Sequence, residues 1–274
     1  MFSAVQPILC IFLMEITPMK LDNVTLEVKD NIGTIAINRP PANSWSLAAL
    51  EDFEKALDAV EKDNSIRVVI VTGAGEKCFS AGFDVTDAAN VAKSGPMGQS
   101  LWTRVDRFPK PVIAAINGHA LGGGLELAIS CHFRIMIDTP KAKIGLTELN
   151  LGIIPGWGGT QRLMRITGKQ KALDMILFSK RINAPEALEI GLADEIHPPE
   201  KFMEAVYQFA QKLAERPPIA VRCVLEAISA GIYEGMDAGL KKEEQGSKVV
   251  STSKDCVEGF TAFLEKRSPR FTGE

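Results

Sequence analysis

The sequence predicts an α/β fold: a parallel core of repeated β-β-α turns followed by a helical C-terminal region. Continuous apolar runs at residues 68–73, 112–116 and 133–137 end in turn residues, the pattern of strands buried on both faces. Helical periodicity fills the stretches between them, as crossover connections of parallel strands require. Beyond about Ala184 nearly everything reads as amphipathic helix.

Taken in order, Val24, Leu26 and Val28 alternate with polar residues, Asp30-Asn31 turns, and Gly33 to Asn38 returns, which predicts a β-hairpin. Arg39-Pro40-Pro41 stops it. A helix is expected from Asn43 or Ser44 to about Asp63, where Leu47, Leu50, Phe53, Leu57 and Val60 recur at helical spacing. Residues 93–98 (Lys-Ser-Gly-Pro-Met-Gly) read as a mobile loop. Helices are expected at 185–190, 201–215, 219–233, 238–250 and 255–266, with a short extended piece at 192–196. The chain thus divides into an N-terminal extension over 1–18, a site-bearing core over 19–200 and a helical region over 201–274. In the extension, the apolar run 8–14 is too short to span a membrane and lacks the flanks of a secretory signal. The expectation is an upstream start, with Met14 or Met19 as alternatives.

Composition narrows the function. With 46% apolar and 24% charged residues the chain is of ordinary globular type, and a net charge of −3 without a basic stripe argues against nucleic acid. The five cysteines, Cys10, Cys78, Cys131, Cys223 and Cys256, are scattered and form no C-x-x-C pair. They read as free thiols of a reducing compartment, the cytoplasm, rather than as a disulfide frame or zinc site. The three histidines are equally dispersed, and no metal is expected.

Three segments can carry chemistry. The first is Cys78-Phe79-Ser80-Ala81-Gly82-Phe83-Asp84-Val85. The second runs from Lys110 through Asn117-Gly118-His119-Ala120-Leu121-Gly122-Gly123-Gly124-Leu125-Glu126. The third runs from Lys143 through Glu148 to Gly152-Ile153-Ile154-Pro155-Gly156-Trp157-Gly158-Gly159-Thr160-Gln161-Arg162. A triple glycine opening a helix is either a plain tight turn or a place where backbone N–H groups meet an oxyanion. Glu126 falls in the first turn of that helix, where the dipole is expected to favour its ionised form. Glu148 follows the next strand, which would return it to the same end of the sheet. Other motifs fail: Cys78 stands where a dinucleotide fingerprint needs its third glycine, Leu163 and Gln170 spoil a Walker loop before Gly168-Lys169, and no G-x-S-x-G elbow exists.

Together the three segments resemble the enoyl-CoA hydratase/isomerase (crotonase) family in order and spacing, from about Val24 to Phe271, closing with Gly259-Phe260-x-Ala262-Phe263-Leu264-Glu265-Lys266-Arg267. The resemblance implies a crotonase-type spiral of β-β-α repeats and a C-terminal helical trimerisation region, giving homotrimers or hexamers. It implies an oxyanion hole from the N–H groups of Phe83 and Gly123, with Glu126 and Glu148 as the catalytic pair. Glu126 would hold and activate water, and Glu148 would deliver a proton to C2. It implies an acyl-CoA thioester as substrate, with coenzyme A entering as part of it and no separate cofactor. Contacts to that substrate are expected from Ala42, Ser44, Ala81, Asp84, Val85, Gly122, Trp157, Phe263 and Lys266. A double-bond isomerase, or a hydratase of cyclic or branched (di)enoyl-CoA, is the alternative. Two departures stand out: Phe83-Asp84-Val85-Thr86 lacks a lysine common in hydratases, and Trp157 replaces a small residue or Phe. Phe83 and Trp157 either simply pack or shape an unusual acyl pocket.

Overall fold

A computed structural model describes residues 19–274; the expected extension over residues 1–18, with Cys10, lies outside the described residues. Strands β1 (Met19–Lys20), β2 (Val24–Lys29) and β3 (Ile32–Ile37) form an antiparallel meander, and Asp30 and Asn31 turn the hairpin at φ of 51° and 64°. Helix α1 (Leu47–Lys62) follows, then β4 (Val68–Gly73), β5 (Cys78–Ser80), a 3₁₀ turn over Val85–Asn90 and α2 (Val91–Asp106). The next turn is β6 (Val112–Ile116), β7 (His119–Leu121) and α3 (Gly123–Ala128). The last is β8 (Phe133–Ile137), β9 (Ile144–Gly145), a 3₁₀ turn over Glu148–Leu151 and α4 (Gly159–Thr167).

Each turn sends its first strand to one sheet and its second to another. The large sheet runs β1-β2-β3-β4-β6-β8 and then β10 (Glu195–His197), parallel from β3 onward, while β5, β7 and β9 pair in parallel as a small sheet. This is the expected β-β-α spiral. The continuous apolar strands now have a reason. Val69 and Val71 of β4 face the core with α1 and the small sheet, whereas Val68 and Ile70 face Phe202, Val206 and Ala210 of α7 (Pro199–Ala214). Both faces are covered, so neither tolerates polar residues.

Between α4 and β10 lie α5 (Lys169–Leu177) and α6 (Ala184–Glu189). Past α7, helices α8 (Pro218–Glu234) and α9 (Met236–Ser251) form a hairpin in which Gly239 packs on Gly231 and Gly246 on Cys223. Helix α10 (Lys254–Glu265) leaves Phe260, Phe263 and Leu264 exposed. Cys78, Cys131, Cys223 and Cys256 are free thiols, the first two buried. No helix among the described residues is long and apolar enough to cross a membrane.

Two expectations change. Residues 93–98 are not a loop but part of α2, which buries Ser94, Gly98, Leu101, Trp102 and Val105 along one face. Burial of that face outweighs the breaker signal of Gly95-Pro96. Helix α1 begins at Leu47, capped by Ser46, instead of at Asn43 or Ser44. Upstream of it, the Asn43 amide is committed to the Ala74 and Cys78 carbonyls at 3.0 and 2.7 Å, and Trp45 bridges to Phe83. The second strands of the expected repeats fall at β5, β7 and β9, two or three residues long and too short to be placed by periodicity.

Candidate active site

The three glycine-rich segments converge where the small sheet meets α3. Gly122 precedes the helix at φ 52°, a left-handed conformation suited to glycine, and its N–H is held by the Gly145 carbonyl at 2.9 Å. Gly82 lies against this turn: a Cβ there would fall 2.7 Å from the Leu121 oxygen and 2.8 Å from the Gly123 nitrogen. The same segment is threaded onto the loop before α1, through Ala81 N–H to Ala42 (2.9 Å), Trp45 N–H to Gly82 (2.8 Å) and Asp84 N–H to Trp45 (3.0 Å). Phe83 and Gly123 therefore sit side by side, and neither backbone N–H donates to a group among the described residues. Gly123 is the first helical residue, whose N–H has no intrahelical partner.

Glu126 projects from the first turn of α3 and is buried. Its Oε1 accepts from the backbone N–H of Trp157 (2.7 Å) and of Gly159 (2.8 Å). That loop is held from behind by Arg162 of α4, also buried. Its guanidinium donates to the Trp157 carbonyl (3.0 Å) and pairs with Asp106 (2.7 Å), which also receives the Tyr233 hydroxyl. Glu148 opens its 3₁₀ turn with its carboxyl over Gly122, where a Cβ would lie 3.1 Å from Oε1. Both Glu148 carboxyl oxygens are buried, with no hydrogen-bond partner among the described residues.

Electrostatics reverses one expectation. Burial, and then the charge of Glu148, push the Glu126 carboxyl up to about 7, against the opposing pull of the two N–H donors and Arg162. A six-residue helix dipole does not outweigh desolvation plus a like charge. Burial also pushes Glu148 up. The structure thus brings the two carboxyls into mutual electrostatic reach, and ionising both at once is disfavoured.

Ala81, Asp84, Val85 and Gly122 lie within two residues of Phe83 or Gly123 in the chain, and Ala42 is hydrogen-bonded to Ala81. Arg39 ties this rim together, donating to the Ser44 carbonyl at 2.6 Å and pairing with Asp84 at 3.0 Å. Phe263 and Lys266 lie apart, on α10 and at its C-terminal end. Phe263 lines a separate apolar hollow with Pro217, Val250 and Phe271. Trp157 is buried and meets Phe83 and Trp102 edge to face. Sequence reasoning missed Trp102, whose Nε1 donates to the Gly123 carbonyl at 3.1 Å, and gave Arg162 no task. The Arg162 task needed the fold, because its partner Asp106 is 56 positions away. Among the described residues no group of three or more His, Cys, Asp or Glu is gathered to hold a metal.

Comparison with known proteins agrees with this geometry. Residues 27–274 match the family model described as enoyl-CoA hydratase/isomerase. The short-chain-enoyl-CoA hydratase of Clostridium acetobutylicum is 38% identical, over 91% of this chain and 97% of its own. The crotonyl-CoA hydratase of Syntrophomonas wolfei is 37% identical, over 92% and 99%. The crystal structure of an enoyl-CoA hydratase from Bacillus anthracis superposes with a TM-score of 0.88 at 43% identity, covering 92% of this chain and 100% of that one.

Proposed function

The chain belongs to the enoyl-CoA hydratase/isomerase family, and from that premise we propose how its residues perform the reaction. It is an enoyl-CoA hydratase, adding water across the 2,3-double bond of an enoyl-CoA thioester to give the 3-hydroxyacyl-CoA. One observation carries the reading of the site: two buried carboxyls that repel each other lie beside two free backbone N–H groups.

The N–H groups of Phe83 and Gly123 receive the thioester oxygen. Water, held by ionised Glu126, attacks C3 and leaves its proton on that carboxylate. The π pair of the double bond moves to C1–C2, and the carbonyl oxygen takes the negative charge, where the two donors stabilise it. Removing one such donor costs about 3–4 kcal/mol of transition-state stabilisation. As the enolate collapses, C2 takes the proton of Glu148. The pair ends with its proton moved from Glu148 to Glu126 and is reset by transfer back. Like-charge repulsion supports a pair carrying one proton at neutral pH, the state that offers a base and an acid together.

The rim formed by Ala42, Ser44, Ala81, Asp84 and Val85 is assigned to coenzyme A. Phe263 and Lys266 join this assignment in an assembled trimer or hexamer, where α10 of one copy would reach another. The exposed Phe260, Phe263 and Leu264 support that assembly. The reading places the enzyme in the cytoplasm. A panel of 2-enoyl-CoA substrates, followed by loss of the conjugated thioester absorbance, tests the whole. Conversion of a 3-enoyl-CoA without water uptake, and no hydration of any 2-enoyl-CoA, would overturn it in favour of an isomerase.

A further inference from the structure

The indole of Trp157 is 6% exposed and wedged between α2 and α3. A Cβ at Gly98 would lie 2.3 Å from its Cε2, and a Cβ at Gly123 would lie 2.4 Å from its Cζ3. Both helices therefore present bare backbone to the ring. Phe83 meets it edge to face at 6.3 Å, and Trp102 at 5.4 Å. The ring thus touches both residues that supply the oxyanion donors, while its own backbone N–H holds Glu126. An acyl chain anchored by its carbonyl between Phe83 and Gly123 begins its course directly beside this indole.

We propose that Trp157 is the specificity-determining cap of the acyl site, closing the slot between α2 and α3 and confining hydration to acyl groups that end shortly beyond C3. The proposal rests on the acyl-CoA reading of the site. Protein interiors are close-packed, so a long acyl tail enters that slot only if the indole leaves it. The ring is held by helix backbone on two sides and by Trp102, itself fully buried and fixed to the Gly123 carbonyl. Departure would strip two aromatic contacts and open an apolar void. Replacing the indole by a small side chain leaves the same slot open to a tail.

The test compares the full chain with its Trp157→Ala and Trp157→Phe variants. Crotonyl-CoA and 2-decenoyl-CoA serve as substrates, and butyryl-CoA and decanoyl-CoA as non-reacting ligands. The decenoyl-to-crotonyl ratio of kcat/KM is expected to rise about tenfold or more in Trp157→Ala and less in Trp157→Phe. Decanoyl-CoA should gain affinity relative to butyryl-CoA in the same order. Trp157→Phe keeps a ring in the slot and carries the comparison should the alanine variant fail to fold. Unchanged ratios in the folded variants, or a wild type indifferent to chain length, overturn the cap. Binding is read without turnover, so a shifted affinity ratio with no form hydrating crotonyl-CoA supports the cap and defeats the hydratase reading alone.

Discussion

The two glutamates sit in opposite kinds of corner. Glu126 is gripped: two backbone N–H groups reach one oxygen, and Arg162 braces the loop that supplies them. Glu148 is also buried, and no group outside its own turn donates to its oxygens, whose charge only the Thr147 and Glu148 backbone N–H groups favour. A buried carboxylate without donors is costly, whereas a buried carboxylic acid is far less so. Both carboxyls are therefore pushed toward the protonated form, and on Glu126 the charge of Glu148 adds to burial. When the shared proton sits on Glu148, as the reaction requires, the repulsion acting on Glu126 disappears and its two donors favour the ionised form. The division of labour follows from backbone placement, since the side chains are identical.

Replacing each carboxyl by its amide puts the largest strain on that contrast. Glu148→Gln and Glu126→Gln should each lower kcat for hydration by roughly 10²–10⁴-fold. They should part company in a second measurement, exchange of the C2 hydrogens of butyryl-CoA with deuterated solvent. If Glu148 serves C2, exchange is lost in Glu148→Gln and persists in Glu126→Gln. The reverse pattern would exchange the two roles while leaving the site in place.

The gripped corner was the less legible of the two in the sequence. The hairpin, the double-faced strands and the order of the helices could be read from alternation and apolar runs, because those patterns are local. The glycine segments and both glutamates were recognisable by type and order. What escaped depends on contacts between distant residues. Residues 93–98 carry glycine and proline, and only the approach of Trp157 to Gly98 shows why a helix there has no side chain at that position. The helix dipole suggested an ionised Glu126, but burial, and then the charge of Glu148 on another turn of the spiral, oppose it. The positions of β5, β7 and β9 escaped because strands this short have no period to detect.

Arg162 allows the grip to be loosened without touching either carboxyl. Arg162→Lys keeps the positive charge but gives up the planar fork that reaches Asp106 and the Trp157 carbonyl together. The loop over residues 157–159 should then sit less firmly, moving Glu126 relative to the substrate. A misplacement on the order of 1 Å can cost roughly 10²-fold in rate. The expected outcome is a fall in kcat of that order or less, with KM little changed and the fold intact by circular dichroism. An unchanged kcat would show that Glu126 keeps its position without this brace.

The smallest effect is thermodynamic and concerns both corners at once. Glu126 binds its proton more tightly in the folded chain than an ordinary carboxyl of pKa 4.5 does, since burial and Glu148 push it up to about 7. Between those two values, raising the pH withdraws a proton that the folded state holds and the unfolded state has already released. Stability contributed by this group is therefore full below the lower value and lost as pH rises through the upper one. In Glu126→Gln the amide oxygen can still accept from Trp157 and Gly159, but no charge appears. Its melting temperature should decline less steeply than that of wild type across this window. At pH 8 the variant should melt higher, by about 2–4 °C for each kcal/mol relieved in a chain of this size. Glu148→Gln removes the repelling charge instead, so the Glu126 carboxyl carbon, followed by NMR, should titrate below the wild-type midpoint. Equal pH slopes in wild type and Glu126→Gln would mean that Glu126 ionises in the fold as it does in water. The gripped corner would then owe its charge to its two N–H donors alone, and Glu148 would have no electrostatic hold on it.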